Sequence, residues 1–243
     1  AGRRTLVVGQ AGGPTPVINA SLAGVVQAAQ AAGFTRILGL RYGVRGLLAG
    51  QYADLTSLSG GELDRLAHTP SSALGACRLK LDDAQVATSL ATLRALEAGA
   101  FVYIGGNDSA DTAHRLARAA AQADDPLRVL AVPKTMDNDL PVTDCSPGFG
   151  SVAKYVATSL REAALDLTAM SRTSTKVFTM ELMGRHAGWA TAAAALAAER
   201  EGDAPHILLL PEVTFDEEHF LAKVEEALAR YDQCVIAVSE GVK

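Results

Sequence analysis

The chain has 243 residues, of which 49% are hydrophobic and 20% are charged, and its formal net charge is -5. This composition supports a sizeable core in one large domain or two small ones, and no apolar run reaches the roughly 18 residues of a membrane span. The mild, unclustered charge argues against nucleic acid as a partner, because such partners leave a basic footprint on the protein.

Short apolar strands alternate with longer alanine-rich helices along the chain. Strands are predicted at 6–8, 101–104, 127–132, 176–180, 207–210 and 234–238, and helices at 16–32, 108–122, 148–170, 186–199 and 217–231. Continuous apolar runs, rather than alternating ones, are typical of parallel strands buried on both faces. The predicted fold class is therefore α/β, with mostly parallel sheets covered by helices in a Rossmann-like three-layer arrangement.

The compartment is indicated by the start of the chain and by the cysteines. The opening AGRRTLVVGQ has a short apolar run interrupted by Gln10 and glycines, which favours a first buried strand over a signal peptide. Cys77, Cys145 and Cys234 are far apart and odd in number, so they form neither a disulfide framework nor a CxxC metal site. We expect free thiols and a cytoplasmic location.

Two glycine pairs follow predicted strands at the carboxyl end, where α/β sheets bind ligands. Gly12 and Gly13 lie in GQAGGPTPVIN, and Gly105 and Gly106 lie in GGNDSADTA. Such a pair leaves backbone N–H groups uncovered beside a helix N-terminus, which suits phosphate, although a single pair is more typical of a tight turn. Neither pair fits GxGxxG and the sequence has no P-loop motif, so an ordinary NAD enzyme or P-loop ATPase is disfavoured.

An acidic segment follows the predicted strand 127–132. The stretch VPKTMDNDLPVTD contains Lys134, Asp137, Asp139 and Asp144. A solvated loop is the alternative interpretation, because Pro, Asn and Asp form turns. Carboxylates beside phosphates repel them unless a cation intervenes, and Mg²⁺ held by one or two carboxylates and phosphate oxygens is the common solution. The sequence therefore predicts a phosphate site that uses Mg²⁺.

Five motifs carry a resemblance to a known family: GGNDS, PKTMDNDL, PGFGSVAKY, MELMGRHAGW and LLPE. In this order and spacing they resemble the phosphofructokinase family. The resemblance implies a two-domain, phosphofructokinase-like fold, with a phosphoryl-donor-binding domain at 1–147 and an incomplete sugar-phosphate-binding domain at 148–243. Family members continue past VSEGVK through a His/Arg-containing segment, so we expect the carboxyl-terminal part of the family pattern to be absent from this chain.

The resemblance also implies an activity and an assembly. The reaction is Mg²⁺-dependent phosphoryl transfer to the 1-hydroxyl of fructose 6-phosphate, giving fructose 1,6-bisphosphate, and the enzyme is a homo-oligomer (dimer or tetramer). The family sequence TIDND matches Thr135, Asp137 and Asp139, with Asp137 as general base. Asp139 is expected on the same side of an extended segment, where it holds a Mg²⁺-bound water or supports the loop; a turn carboxylate is the alternative.

The phosphoryl donor is predicted from the second glycine motif. ATP-using members resemble GGDGS, whereas this chain has Gly106, Asn107, Asp108 and Ser109 after Gly105. A carboxylate at position 108 is expected to repel the α-phosphate of ATP, which favours pyrophosphate as the donor. Asn107 replaces an aspartate of the family and lacks its charge, so Asp108 is the expected metal ligand.

Four further residues belong to the predicted donor site. Lys134 matches the PKT sequence of pyrophosphate-using members, and its ammonium is expected to neutralise the terminal phosphates. Gly12, beside Gly13, and Arg78 in GACRLK match family positions that contact donor phosphates. A surface ion pair is the alternative interpretation of Arg78.

The sugar-phosphate site is predicted from MELMGRHAGW and LLPE. The resemblance assigns fructose binding to Met183, Gly184 and Arg185, and sugar hydroxyls to Glu212. Lys176 falls where the family has a basic residue that reaches the 6-phosphate bound by a neighbouring subunit. Without the resemblance, Arg185 is typical of a solvated helix start.

The preferred function is a pyrophosphate-dependent 6-phosphofructokinase, with an ATP-dependent 6-phosphofructokinase as the alternative. A non-catalytic phosphate-binding subunit or an inactive fragment is the second alternative. A regulatory relative is expected to lose Asp137 or Arg185, and both are present. The sequence therefore favours an enzyme.

Overall fold

A computed structural model describes residues 2–243. The chain divides into two compact units, the first ending at Lys134 and the second spanning Thr135–Lys243. Each unit has its own sheet. Among the helices of residues 2–243, none combines the length and the apolar character needed to cross a bilayer.

The first unit is a five-stranded sheet with helices on both faces. Its strands are β1 Thr5–Gln10, β2 Arg36–Leu40, β3 Tyr52–Asp54, β4 Ala98–Gly105 and β5 Arg128–Pro133. Its helices are α1 Pro16–Ala31, α2 Val44–Ala49, α3 Gly60–Ala67, α4 Asp83–Ala95 and α5 Asn107–Gln122. The strand order is β3-β2-β1-β4-β5, and every pairing is parallel except the antiparallel pair of β2 and β3.

Alternate residues of the central strands point to opposite faces of the sheet and pack into two cores, one on each face. Val7, Phe101 and Tyr103 pack in one cluster with residues of α2, α4 and α5. Val8 and Val102 pack in the other cluster with residues of α1 and α3. Both faces of β1 and β4 are thus covered, which explains their continuous apolar sequences.

The second unit has a three-stranded parallel sheet in the order β6-β8-β7. The strands are β6 Val177–Leu182, β7 Ile207–Leu209 and β8 Cys234–Ser239. The helices are α6 Phe149–Met170, α7 Trp189–Ala193, which continues as a 3-10 turn over Ala194–Ala197, and α8 Glu217–Tyr231. The buried residues of α6 recur at helical spacing and form one apolar stripe: Val156, Leu160, Ala164 and Leu167.

The predicted α/β class with mostly parallel sheets is confirmed, and each predicted strand overlaps an observed one. One helix starts later than predicted: the region 186–199 becomes helical only at Trp189. Gly188 is the N-cap of this helix, and Gly184, with a φ of 128°, turns the chain between β6 and the helix. No element is predicted between 33 and 97, where the structure has β2, β3 and α2 to α4.

Residues 135–147 pack with the second unit, although the sequence-based donor domain extends to 147. The Thr135 N–H donates to the Pro147 carbonyl at 3.0 Å, and Thr135 forms a parallel bridge with Gly148. These bonds close the acidic segment into a loop on the second unit. The functional assignment of the two domains stays a prediction.

Candidate active site

The glycine turn after β1 brings backbone donors and two cationic side chains together. Gly12 has a φ of 74°, which favours glycine, and α1 begins four residues later at Pro16. A Cβ added to Gly12 would lie 3.2 Å from Lys134 Nζ, and one added to Gly13 would lie 4.0 Å from Arg78 Nη2. The turn therefore lies within a few ångströms of an ammonium and a guanidinium, which is an arrangement suited to an anion.

The register of β4 and β5 places Lys134 at this turn. Gly105 pairs with Pro133, and the Lys134 N–H donates to the Gly105 carbonyl at 2.9 Å. The Lys134 side chain is 6% exposed, and its ammonium donates to the Gly13 carbonyl at 2.7 Å. Because a buried ammonium is costly unless it is hydrogen-bonded, this contact fixes a positive charge beside the turn.

The second glycine motif forms the start of α5. A Cβ on Gly105 would lie 2.2 Å from Ser109 Oγ, so only glycine fits there. Gly106 is the N-cap, Asn107 and Asp108 are exposed in the first turn, and Ser109 is buried. The exposed first turn of α5 can therefore receive an anion through its N–H groups.

Asp108 forms an ion pair with Lys80, with 2.9 Å between Oδ1 and Nζ. A hydrogen bond from Lys80 to the Asp108 carboxylate and the attraction of its charge raise the pKa of Lys80. Both side chains are about three-quarters exposed, so the pair is screened by water and contributes little to stability. The pair places one positive and one negative side chain at the first turn of α5.

The residues at the start of α5 can hold a Mg²⁺ ion only when a bound phosphate group supplies further oxygen atoms. Within residues 2–243, no three His, Cys, Asp or Glu side chains cluster as a ready metal cage. Mg²⁺ commonly takes one or two carboxylates and completes its shell with phosphate oxygens and water. The exposed carboxylate of Asp108 can supply one such ligand.

The acidic loop is shaped by Thr135 and Asn138. Thr135 Oγ1 accepts the Asp137 N–H at 3.1 Å and donates to Asp139 Oδ1 at 3.2 Å. The buried Asn138 donates to the Asp144 carbonyl at 3.1 Å and accepts the Ser146 N–H at 2.7 Å. These bonds hold the backbone on both sides of Asp137.

The expectation that Asp137 and Asp139 share one side of an extended segment is wrong. Asn138, between them, has a φ of 55°. This left-handed conformation is one that Asn tolerates better than most residues, and it turns the chain. Asp137 is half-buried and Asp139 is exposed.

In the second unit, Met183, Gly184 and Arg185 follow β6 directly. Gly184 cannot be replaced without strain, because its φ is 128° and an added Cβ would lie 2.4 Å from the Ala187 carbonyl oxygen. Its own carbonyl accepts the Ser239 hydroxyl at 2.7 Å. The segment is therefore held against the end of β8, with the side chains of Met183 and Arg185 exposed.

Glu240 is a further candidate for the site that was not among the predicted residues. It follows β8 directly, is exposed, and donates its N–H to the Leu182 carbonyl at 2.9 Å. It therefore lies at the same sheet end as Met183 and Arg185. Its position after the apolar run 234–238 is the signal that could have identified it.

The other two predicted sugar-site residues have structural partners. Glu212 Oε1 accepts the Gly188 N–H at 2.7 Å, at the N-cap of α7. Lys176 precedes β6 and pairs with Asp232 at the end of α8. A six-residue strand is roughly 20 Å long, so Lys176 lies far from Met183 within one chain.

The fold and the glycine turns together define a class of protein: an α/β protein whose strand-to-helix turns suit the binding of phosphate groups. Comparison with known proteins shows to which family within this class the chain belongs. The family model described as Phosphofructokinase matches residues 5–243. The chain is 49% identical over 243 residues to pyrophosphate–fructose 6-phosphate 1-phosphotransferase of Xanthomonas campestris pv. campestris, covering 98% of this chain and 58% of that protein. A protein of the same name from Halomonas elongata is 46% identical, with 96% and 58% covered.

A solved structure gives the same result. The crystal structure of pyrophosphate-dependent phosphofructokinase from Marinobacter aquaeolei matches with a TM-score of 0.90 at 44% identity, over 99% of this chain and 61% of that one. The chain therefore belongs to the phosphofructokinase family, as its motifs predict. It spans 58% of the length of the two curated relatives.

Asn138 provides a test of the loop geometry. Asn138→Ala removes two hydrogen bonds and places an alanine at positive φ, so we expect a loss of about 1 to 3 kcal/mol in the free energy of unfolding. Asn138→Gly restores the backbone freedom and is expected to recover part of that loss. Urea unfolding measures both. The control Asp144→Ala, at an exposed position in the same loop, should change stability by less than about 0.5 kcal/mol; equal losses in all three variants would contradict the role of Asn138.

Proposed function

We propose that this chain supplies the donor site and part of the sugar-phosphate site of a Mg²⁺-dependent pyrophosphate:fructose 6-phosphate 1-phosphotransferase. The observation that carries the proposal is the position of Lys134 Nζ and Arg78 at the Gly12–Gly13 turn. The names of the relatives from Xanthomonas and Halomonas support the same reaction. The product is fructose 1,6-bisphosphate.

Pyrophosphate is a compact, highly charged donor, and the turn after β1 offers hydrogen-bond donors and positive charges to its phosphate oxygens. The Gly12 N–H is bonded to the Cys77 carbonyl, and Pro14 and Pro16 have no N–H, so the backbone donors for phosphate oxygens are the N–H groups of Gly13 at the turn and Val17 at the start of α1. Lys134 supplies a point charge, and the planar guanidinium of Arg78 can donate two parallel hydrogen bonds. Mg²⁺, held by Asp108 with the neutral oxygen of Asn107 beside it, would neutralise charge on the phosphate oxygens when bound.

Asp137 acts as the general base in this proposal. Its carboxylate accepts the proton of the sugar 1-hydroxyl as that oxygen forms a bond to phosphorus, and the bond from phosphorus to the bridging oxygen of the donor breaks. Inorganic phosphate leaves. Thr135, which bonds both the Asp137 N–H and the Asp139 carboxylate, positions the base.

Met183, Gly184 and Arg185 bind fructose 6-phosphate, with Glu212 and Glu240 as acceptors for sugar hydroxyls. One Glu212 oxygen already holds the Gly188 N–H. Lys176 lies at the opposite end of β6, so we assign it to the 6-phosphate bound by a neighbouring subunit in a homo-oligomer. The cytoplasmic location stays a prediction.

Donor choice depends on Asp108. Its carboxylate occupies the first turn of α5 and is held there by Lys80. A nucleotide must place its α-phosphate and adenosine beyond the two terminal phosphates, and a carboxylate in that space repels it. Pyrophosphate has neither group, which favours it over ATP.

The general base can be tested by Asp137→Ser in the protein that carries this chain. We expect kcat to fall by a factor of about 10² to 10⁴ with a much smaller change in KM for either substrate, because a base acts mainly in the transition state. Asp144→Ser is the matched control, since it removes a carboxylate from the same loop. Turnover within a few-fold of wild type in Asp137→Ser would rule out this mechanism.

Donor choice can be tested by Asp108→Gly, alone and together with Lys134→Gly. Removal of a like charge near a phosphate relieves about 1 to 4 kcal/mol, so the ratio of kcat/KM for ATP to kcat/KM for pyrophosphate should rise by about one to three decades in the single variant, while loss of the proposed Mg²⁺ ligand lowers turnover with both donors. The second substitution should weaken the use of pyrophosphate. The measurement is kcat/KM for both donors at fixed Mg²⁺ and ionic strength. A wild type that prefers ATP would contradict the pyrophosphate assignment.

A further inference from the structure

Two buried amide side chains join the end of β1 to the first turns of α1. Gln10 is 0% exposed and Asn19 is 1% exposed. Gln10 Nε2 donates to the Ile18 carbonyl at 3.1 Å and to Asn19 Oδ1 at 3.0 Å. Both N–H groups of the Gln10 amide are thereby used inside the protein.

The same two amides bind an irregular segment, residues 69–78, which we name the strap. Gln10 Oε1 accepts the Ser72 hydroxyl at 2.8 Å and the Leu74 N–H at 3.0 Å. Asn19 donates to the Thr69 carbonyl at 2.9 Å and accepts the Ala73 N–H at 2.9 Å. Four bonds from two side chains thus tie the strap to β1 and α1.

The strap and the glycine turn line one cavity of about 350 Å³. The turn contributes Gly12, Gly13 and Pro14. The strap contributes Ser71, Ser72 and residues 75–78, the last of which is Arg78. The Gly12 N–H donates to the Cys77 carbonyl at 3.3 Å, so the two walls also touch directly. The location of the strap therefore decides how far Arg78 lies from the turn.

The strap has little regular structure of its own to hold it. It contains no helix or strand, and Ser71 and Gly75 have φ values of 76° and 72°. Buried amides are costly unless every group is bonded, and apolar side chains would fill the same space without that requirement. The network is therefore better explained by the position that it imposes on the strap than by stability alone.

We infer that Gln10 and Asn19 are positioning residues for the phosphoryl donor. They hold the strap so that Arg78 and the walls of the cavity are in place at the Gly12–Gly13 turn before the donor binds. Preorganisation of this kind improves binding because the ordering of the strap is complete in the free protein. The inference rests on the proposed function, since it assigns the donor to this turn.

Asn19→Ala tests the inference, because it removes bonds to the strap without altering a residue that lines the cavity. In the protein that carries this chain, we expect KM for pyrophosphate to rise about tenfold while KM for fructose 6-phosphate stays within about twofold. Hydrogen exchange of the strap amides, measured without ligand, should become about tenfold faster. A merely structural role would lower kcat through loss of folded protein and leave both KM values unchanged.

Gln30 offers a matched control on the same helix. Its Nε2 donates to the Thr56 carbonyl at 3.2 Å and the Leu58 carbonyl at 3.0 Å, so it tethers a different loop to α1. Gln30→Ala should leave KM for both substrates and the exchange of the strap at their wild-type values. An equal effect of Gln30→Ala and Asn19→Ala would overturn the inference.

A second variant covers the case in which Asn19→Ala does not fold. Ser72→Ala removes only the hydroxyl bond to Gln10, and faster exchange of the strap in this variant supports the inference. Wild-type exchange rates of the strap amides in Ser72→Ala overturn the inference. Faster exchange in Asn19→Ala together with an unchanged KM for the donor also overturns it. A wild type that uses only ATP contradicts the proposed donor instead, and KM for ATP then serves as the readout for the strap.

Discussion

The hydrogen bond from the Lys134 ammonium to the Gly13 carbonyl links the ends of two strands that are not neighbours in the sheet. β1 and β5 are separated by β4, and the parallel register of all three brings their carboxyl ends to one edge. Gly12 leaves room for the ammonium, and Gly105 leaves room for Ser109 beneath the start of α5. The candidate donor site depends on this one contact, because it sets a cation against backbone that would otherwise form an ordinary turn.

Much of the fold can be predicted from the sequence because the central strands β1 and β4 are buried on both faces. Runs such as Leu6 to Val8 and Phe101 to Ile104 stand out as continuous apolar segments, and the helices between them are long. The elements from β2 to α4 are harder to predict. β3 has three residues and α2 has six, which is too short for a periodic pattern to emerge, and α4 has 13 residues but almost no apolar periodicity along its sequence.

The candidate site could be predicted where a residue follows a strand directly, as Lys134 does. It could not be predicted where the backbone departs from its local preference: Asn138 turns the chain between two aspartates, which the spacing alone describes as extended. The hydrogen bonds that hold the strap also could not be predicted from a sequence pattern, because Gln10 and Leu74 are 64 residues apart and meet only in the folded chain. Glu240 shows the reverse case, a residue that the strand-end rule would have identified.

The ion pair of Lys80 and Asp108 has a consequence for the conditions under which the protein works. Both partners face water, and at physiological ionic strength charges are screened over about 8 Å. Added salt therefore weakens the hold of Lys80 on the carboxylate and also weakens the repulsion between that carboxylate and a phosphate. In the proposed function, discrimination between one phosphoryl donor and another is thus tied to the ionic composition of the surroundings, whereas the buried contact of Lys134 is largely insulated from it.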